Sequence, residues 1–182
     1  DEGVADAVMG RMLEEQRDDA EVQARYALYL WQSGRQEDAI AQLEGATAVV
    51  EEPAAVLVTL TKLLRSAGRQ EEAVAVVARL EAEYPNAPET VLMRAQQSIS
   101  EKRYEEAAVP LRELVGSVET VEGWRLLAEA EDGLDRSEAA IAAVDRAVEV
   151  AKTTGAAFPR QAIMLRAQLQ YKGGDWRGAL LS

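Results

Sequence analysis

Small and apolar residues recur along the chain at the spacing of one face of an α-helix. In four segments, a small residue is followed by apolar residues four and seven positions later, which places the three side chains on the same side of a helix. These segments contain Ala39, Leu43 and Ala46; Ala73, Val77 and Leu80; Ala107, Leu111 and Leu114; and Ala140, Val144 and Ala147. The pattern predicts four helices that each bury one face.

A second small residue lies twelve positions before the first residue of each set, and one further pair follows. This spacing predicts two antiparallel helices joined by a tight turn, because a small side chain on each helix lets the two backbones approach closely. Gly34, Gly68 and Gly174 lie in the predicted turns, where a residue that accepts positive φ ends the first helix. The five pairs are Ala27 and Ala39, Thr61 and Ala73, Ala95 and Ala107, Ala128 and Ala140, and Ala167 and Ala179.

The turn and the start of the second helix carry a motif that repeats every 34 residues. Gly-Arg-Gln-Glu-Asp-Ala at 34–39 is followed by Gly-Arg-Gln-Glu-Glu-Ala at 68–73 and by Lys-Arg-Tyr-Glu-Glu-Ala at 102–107. Weaker copies lie at 135–140 and 174–179. The acidic residues of the motif fall in the first turn of the second helix, where negative charge complements the helix dipole. The chain is therefore predicted to consist of helix-turn-helix repeats.

This pattern resembles the tetratricopeptide-repeat family, whose 34-residue unit is a helix-turn-helix with small residues at its eighth and twentieth positions. Trp124, Leu127 and Ala128 reproduce the family's Trp-x-x-Leu-Gly start with Ala for Gly, and Pro85 follows Tyr84 where a unit closes. The resemblance covers nearly the whole chain and implies an all-α fold, a right-handed α-solenoid of helix-turn-helix units. The sequence departs from the family at the usual Leu of the first helix, replaced by Arg94 and Arg166, and at its usual aromatic residue, replaced by Ser98, Glu131 and Gln170.

The repeat frame describes a single solenoid segment. Residues 1–18 are expected to form the second helix of an incomplete repeat, residues 20–53, 54–87, 88–120 and 121–159 four repeats, and residues 160–182 a partial repeat. Six extra residues before the last copy predict a longer helix or loop around 152–159, and Pro110 predicts a kink or loosened first turns in its helix. Because a half-repeat leaves its apolar face uncovered, we expect further repeats on both sides, in a longer array.

The composition narrows the chemistry that the chain can carry. With neither His nor Cys, it cannot form a Ser-His-Asp or Cys-His nucleophile system, a Cys/His zinc site or a disulfide. Neighbouring carboxylates such as Glu105 and Glu106 point to different sides of a helix, which favours solvated charges over a cooperating acid-base pair. We therefore expect no catalytic residues, no cofactor and no metal site.

Charge and apolar run length limit the partners. The formal net charge of −12 repels phosphate backbones, so a nucleic-acid partner is not expected. The longest near-apolar stretch, residues 54–60, is far shorter than the roughly 20 residues that cross a bilayer, so no membrane-spanning segment is expected.

The resemblance implies that the first helices line a concave groove in which a partner binds. Trp31 is interpreted either as an interface anchor, since a large flat side chain buries much area at low entropic cost, or as packing at a repeat junction. An apolar strip is expected beside the cations Lys62 and Arg65. The groove positions of the family correspond here to Leu28, Trp31, Val58, Lys62, Arg65, Leu92, Gln96, Ile99, Arg125 and Tyr171.

The function predicted from this resemblance is a non-catalytic scaffold or adaptor that docks an extended or helical segment of another protein in the groove. Resemblance to arginine-rich, acidic bacterial members favours a cell-envelope assembly, export or protease-recruitment complex in the periplasm, with a cytoplasmic adaptor as the competing placement. Two alternatives stay open. In the first alternative, the chain is the regulatory or substrate-delivering region of a larger enzyme-containing chain. In the second, it is a module that self-associates into a homo-oligomer.

Overall fold

The computed structural model describes residues 2–156 and 160–172, and every regular element in these ranges is an α-helix. The helices are, in chain order, α1 (Glu2–Glu15), α2 (Ala20–Gln32), α3 (Gln36–Ala46), α4 (Ala54–Ser66), α5 (Gln70–Glu83), α6 (Pro88–Ser100), α7 (Tyr104–Ser117), α8 (Val121–Gly133), α9 (Ser137–Thr154) and α10 (Arg160–Lys172). The predicted all-α fold is confirmed.

The helices belong to two units, residues 1–90 and residues 91–182. In the first unit, α2 packs against α3 and α4 packs against α5, so each pair forms a helical hairpin, and α1 packs against α2. Contacts of α4 with both α2 and α3 stack one hairpin on the next, with α2 and α4 as neighbours. In the second unit, α8 contacts α7 and α9, and α10 contacts α8 and α9. Each unit is therefore built from stacked helix pairs.

The turns between paired helices share a left-handed backbone conformation. Their residues are Gly34 with φ of 79°, Gly68 with 78°, Lys102 with 60° and Asp135 with 57°. This confirms the predicted positive φ at the first two positions, while Gly174 lies outside the described residues. The turn thus keeps its conformation in the repeats where glycine is replaced.

The small residues predicted at the helix contacts are buried. Ala27 and Ala39 in the first unit, and Ala128 and Ala140 in the second, have no exposed surface. Thr61 is 2% exposed, and its hydroxyl donates a hydrogen bond of 2.9 Å to the carbonyl of Leu57, one helical turn earlier. Since these side chains fill so little space, the paired helices approach closely and larger neighbours close the core.

Each unit has its own apolar core. The first-unit core includes the fully buried Ile40, Leu43 and Leu64, and the second-unit core includes Leu111, Leu126 and Val144. Burying a side chain of this size stabilises the folded state by about 1.5–3 kcal/mol. These cores hold the first helices in place and so position the side chains predicted to bind a partner.

Helix α7 differs from the other helices in containing an internal proline, and α9 differs in its length. Helix α7 runs without interruption through Pro110, and α9 extends over 18 residues before Gly155, with φ of 68°, ends it. Part of the predicted lengthening therefore lies within α9, whereas residues 157–159 lie outside the described residues. Among the helices of the described ranges, none has an apolar stretch of the length that crossing a bilayer requires.

Candidate functional site

Five of the predicted partner-binding residues lie on the neighbouring helices α2 and α4. Leu28 and Trp31 are three positions apart on α2, whereas Val58, Lys62 and Arg65 are spaced by four and three positions on α4, so each set occupies one side of its helix. Leu28 and Lys62, and likewise Trp31 and Arg65, are separated by one 34-residue period. The two sets therefore hold equivalent positions on packed helices, and we call them together the α2–α4 surface.

The apolar residues of the α2–α4 surface are unevenly exposed. Leu28 is 43% exposed, whereas Trp31 and Val58 are half-buried. The ring of Trp31 packs against the first-unit core and keeps part of its surface accessible. One portion of the ring thus packs inward, and the role of Trp31 as an interface anchor stays a prediction.

The two cations of the α2–α4 surface are exposed and form no ion pair among the described residues. Some arginines of the same unit are paired, for example Arg25 with Glu21 and Arg79 with Glu83 at 3.0 Å, whereas Arg11 and Arg17 are also exposed and have no ion pair among the described residues. Arg65 lies in the last turn of α4, where a cation also complements the helix dipole. The positive charge on this face is left available to a partner.

In the second unit, the structure brings Gln96 and Arg125 together. The Nη2 atom of Arg125 donates to the amide oxygen of Gln96 at 3.1 Å, and the guanidinium also pairs with Glu122 at 2.8 Å and Glu129 at 3.0 Å. The hydrogen bond with Glu122, followed by the charges of both carboxylates, raises the pKa of Arg125 above its usual range. The charge of Arg125 is therefore already compensated within the unit.

The remaining predicted residues are Leu92, Ile99 and Tyr171. Ile99 is 6% exposed and lies in the second-unit core, so it presents almost no area to a partner. Leu92 is half-buried and packs against the same core. Tyr171 belongs to α10, but its side chain lies outside the described part of the structure. The expected apolar strip is thus reduced in this unit to the partly exposed Leu92.

Arginines before the second helices form a recurring set of ion pairs that sequence reasoning did not anticipate. Arg35 pairs with Asp38 of its own helix at 3.0 Å and with Asp6 of α1 at 3.4 Å. Arg69 repeats this arrangement with Glu72 at 2.6 Å and with Glu37 of α3 at 3.3 Å. The repeated Gly-Arg motif was the available signal, because it places an arginine at the same point of successive repeats.

A buried carboxylate explains one departure from the family pattern. Glu131, where the family has an aromatic residue, is 4% exposed and pairs with Arg112 at 2.7 Å and Arg136 at 3.4 Å. Arg136 also reaches Glu105 on α7 at 3.2 Å. An ion-pair network therefore connects α7, α8 and the start of α9.

The side chains of the described residues offer no arrangement of three His, Cys, Asp or Glu groups that would hold a metal ion. What the α2–α4 surface offers chemically is apolar contact area next to unpaired positive charge.

Comparison with known proteins identifies the fold. No protein-family model matches the sequence, and no curated protein matches it. Among solved structures, MamA (residues 41 to the end) from Desulfovibrio magneticus is 19% identical, with 90% of each chain covered and a TM-score of 0.58. The thermophilic tetratricopeptide-repeat protein TTC0263 from Thermus thermophilus is 15% identical, with 90% of this chain and 87% of that chain covered and a TM-score of 0.61.

PilF from Pseudomonas aeruginosa is 16% identical, with 89% of this chain and 72% of that chain covered and a TM-score of 0.66. Identities this low establish the fold alone. The chain therefore has the fold of the tetratricopeptide-repeat proteins, a helical solenoid of helix-turn-helix units.

Proposed function

We propose that this chain is a non-catalytic protein-interaction scaffold that docks an acidic or amphipathic segment of a partner protein on the α2–α4 surface. The observation that carries the proposal is the pairing of exposed apolar area at Leu28 and Trp31 with the unpaired cations Lys62 and Arg65. A partner segment would bury the apolar area, and its carboxylates would compensate the positive charge. The helical-solenoid fold supports this function because it holds the binding helices rigidly from behind.

Energetics favour Trp31 and Arg65 as the principal contacts. Aromatic and arginine side chains dominate binding energy at protein interfaces, and the loss of one such contact commonly costs more than about 1 kcal/mol. The ring of Trp31 already packs in part against the core, which restricts its rotamers. It therefore loses little conformational entropy when a partner covers it. Arg65 lies at the equivalent position of the next repeat and adds a charged contact beside it.

We extend the proposal to a bacterial cell-envelope assembly, export or protease-recruitment complex. The basis is the acidic, arginine-rich composition, in which arginine far outnumbers lysine among the 20 cationic residues. Detection of a tagged chain in separated periplasmic and cytoplasmic fractions tests this placement. Recovery in the cytoplasmic fraction alone would favour the cytoplasmic adaptor.

The binding proposal is tested by capturing partners with the full chain and with a Trp31→Ala, Arg65→Ala double variant. We expect the partner recovered with the wild-type chain to be lost, with affinity reduced by about tenfold or more. Arg79→Ala provides a matched control, because Arg79 lies on α5 and is paired with Glu83. Circular dichroism checks that helicity is unchanged. Undiminished capture by the double variant would contradict the proposal.

A further inference from the structure

A cleft of about 750 Å³ opens in the first unit where the connections between successive helix pairs meet the starts of the next helices. Its floor is largely apolar and includes Val50, Ala54, Ala55, Tyr84 and Pro88. We call it the loop cleft. It is formed by the chain around Asp18, residues 50–55 and residues 83–89, and so differs from the α2–α4 surface in the residues that build it.

The rim of the loop cleft is strongly acidic. Asp18, Glu51, Glu52, Glu83 and Glu89 line it, and no Lys or Arg is among the described residues that do so. Glu83 is paired with Arg79, whereas the other four carboxylates form no ion pair or hydrogen bond in the described part of the chain. Most of the negative charge around the cleft is therefore not compensated by ion pairs within the unit.

Helices α2 and α4 do not use these carboxylates as caps, whereas Glu89 lies in the first turn of α6, where its charge complements the helix dipole. Helix α2 is capped by Asp19, whose carboxylate accepts hydrogen bonds from the backbone N–H groups of Glu21 at 2.8 Å and Val22 at 3.1 Å. Helix α4 begins after Pro53 and receives no side-chain cap, so Glu51 and Glu52 are not used in this way. Their charges remain available to a ligand that enters the cleft.

We propose that the loop cleft binds an extended basic segment of a partner protein, in which Lys or Arg alternates with apolar residues. In an extended chain, successive side chains point to opposite sides, so apolar side chains can reach the floor while cationic ones face the rim. Charge complementarity selects this occupant, because an acidic segment would meet the uncompensated carboxylates. The site is opposite in sign to the α2–α4 surface, so the unit offers separate surfaces to basic and acidic segments.

The test measures binding of a short fluorescent peptide that alternates lysine with valine to the full chain. A Glu51→Gln, Glu52→Gln variant removes two charges in an exposed connection and should leave the helices intact. A Glu44→Gln, Glu81→Gln variant removes the same number of charges from exposed positions outside the cleft. Fluorescence anisotropy gives the dissociation constants of the wild-type chain and of both variants, and circular dichroism confirms the fold of each variant.

We expect the cleft variant to weaken binding by about fivefold or more, and the control variant by less than about twofold, with affinity falling as salt is added. Equal losses in both variants would show that only overall charge attracts the peptide, and would overturn the proposal. Absence of binding to the wild-type chain, or binding unaffected by the cleft variant, would also overturn it. None of these results depends on Trp31 or Arg65, so the proposed scaffold function is tested separately.

Discussion

At the scale of single residues, the turn positions show how the repeat imposes a backbone conformation on unlike side chains. Lys102 and Asp135 have φ of 60° and 57°, although residues other than glycine rarely adopt this left-handed region of backbone conformation. A Cβ atom placed on Gly34 or Gly68 would meet nothing within 4 Å, so any cost of a side chain there is conformational. Lys102 therefore carries backbone strain that the packing of its helices maintains.

Replacement of Lys102 by glycine should relieve this strain. We expect Lys102→Gly to raise the free energy of unfolding by about 0.5–1 kcal/mol, and Gly68→Ala to lower it by about 1 kcal/mol. Urea denaturation measures both changes. Lys102→Ala is the matched control, because it removes the long side chain but retains the Cβ atom. An equal gain from Lys102→Ala would attribute the effect to the lysine side chain instead.

Glu131 is a second residue whose environment makes a clear prediction. It is 4% exposed and interacts with Arg112 and Arg136, so Glu131→Gln leaves their charges without their buried partner. We expect a loss of about 1–3 kcal/mol in the free energy of unfolding, measured by urea denaturation. Glu113→Gln, at an exposed position of α7, should change it by less than about 0.5 kcal/mol. Similar values for the two variants would show that the buried network adds nothing to stability.

At the scale of helices, ion pairs connect one repeat to the next. Arg69, directly before α5, forms ion pairs with Glu72 of α5 and with Glu37 of α3. Arg35, directly before α3, connects α3 to α1 in the same way. The hydrogen bond from Arg69 holds the pKa of Glu72 below its usual value, and the charge of Arg69 acts in the same direction. These pairs lie at the surface, so each contributes little to stability alone.

The lowered pKa of Glu72 predicts a pH dependence. Its contribution to stability is fully present above the carboxyl pKa of the unfolded chain, about 4.3, and is lost as pH falls through the lower folded value. The difference in unfolding free energy between the wild-type chain and Glu72→Gln should therefore be largest near neutral pH and shrink in acid. Urea denaturation at several pH values measures it, with Glu71→Gln as the control for charge loss at the same helix start. A difference that stays constant into acid would contradict this pairing.

The sequence predicted the helix pairs better than it predicted which side chains face a partner. The 34-residue period and the small residues at Ala27, Ala39 and their counterparts follow from close backbone packing, which tolerates few alternatives. Trp31, Arg65 and Ile99 hold equivalent positions in successive repeats. Trp31 is half-buried, Arg65 is exposed and Ile99 is buried. This position lies at the border between core and surface. Its exposure therefore depends on the chemistry of the side chain and cannot be predicted from the repeat period.

At the scale of the whole chain, the net charge of −12 is distributed unevenly. Many carboxylates are paired with arginines at the starts of second helices, whereas four of the five around the loop cleft form no ion pair among the described residues. Lys62 and Arg65 are exposed cations without an ion-pair partner in the described residues, and they lie on α4 next to the partly exposed apolar residues of α2.

The most direct test of the central proposal is photo-crosslinking from the α2–α4 surface. A photoreactive residue replaces Leu28, which is 43% exposed, or Val74, which is 65% exposed on α5 and lies outside that surface. We predict that the captured partner crosslinks to the chain from position 28 and not from position 74, and that Arg65→Ala abolishes the crosslink. Crosslinking from position 74 with none from position 28 would contradict the account and place partner binding on the second helices.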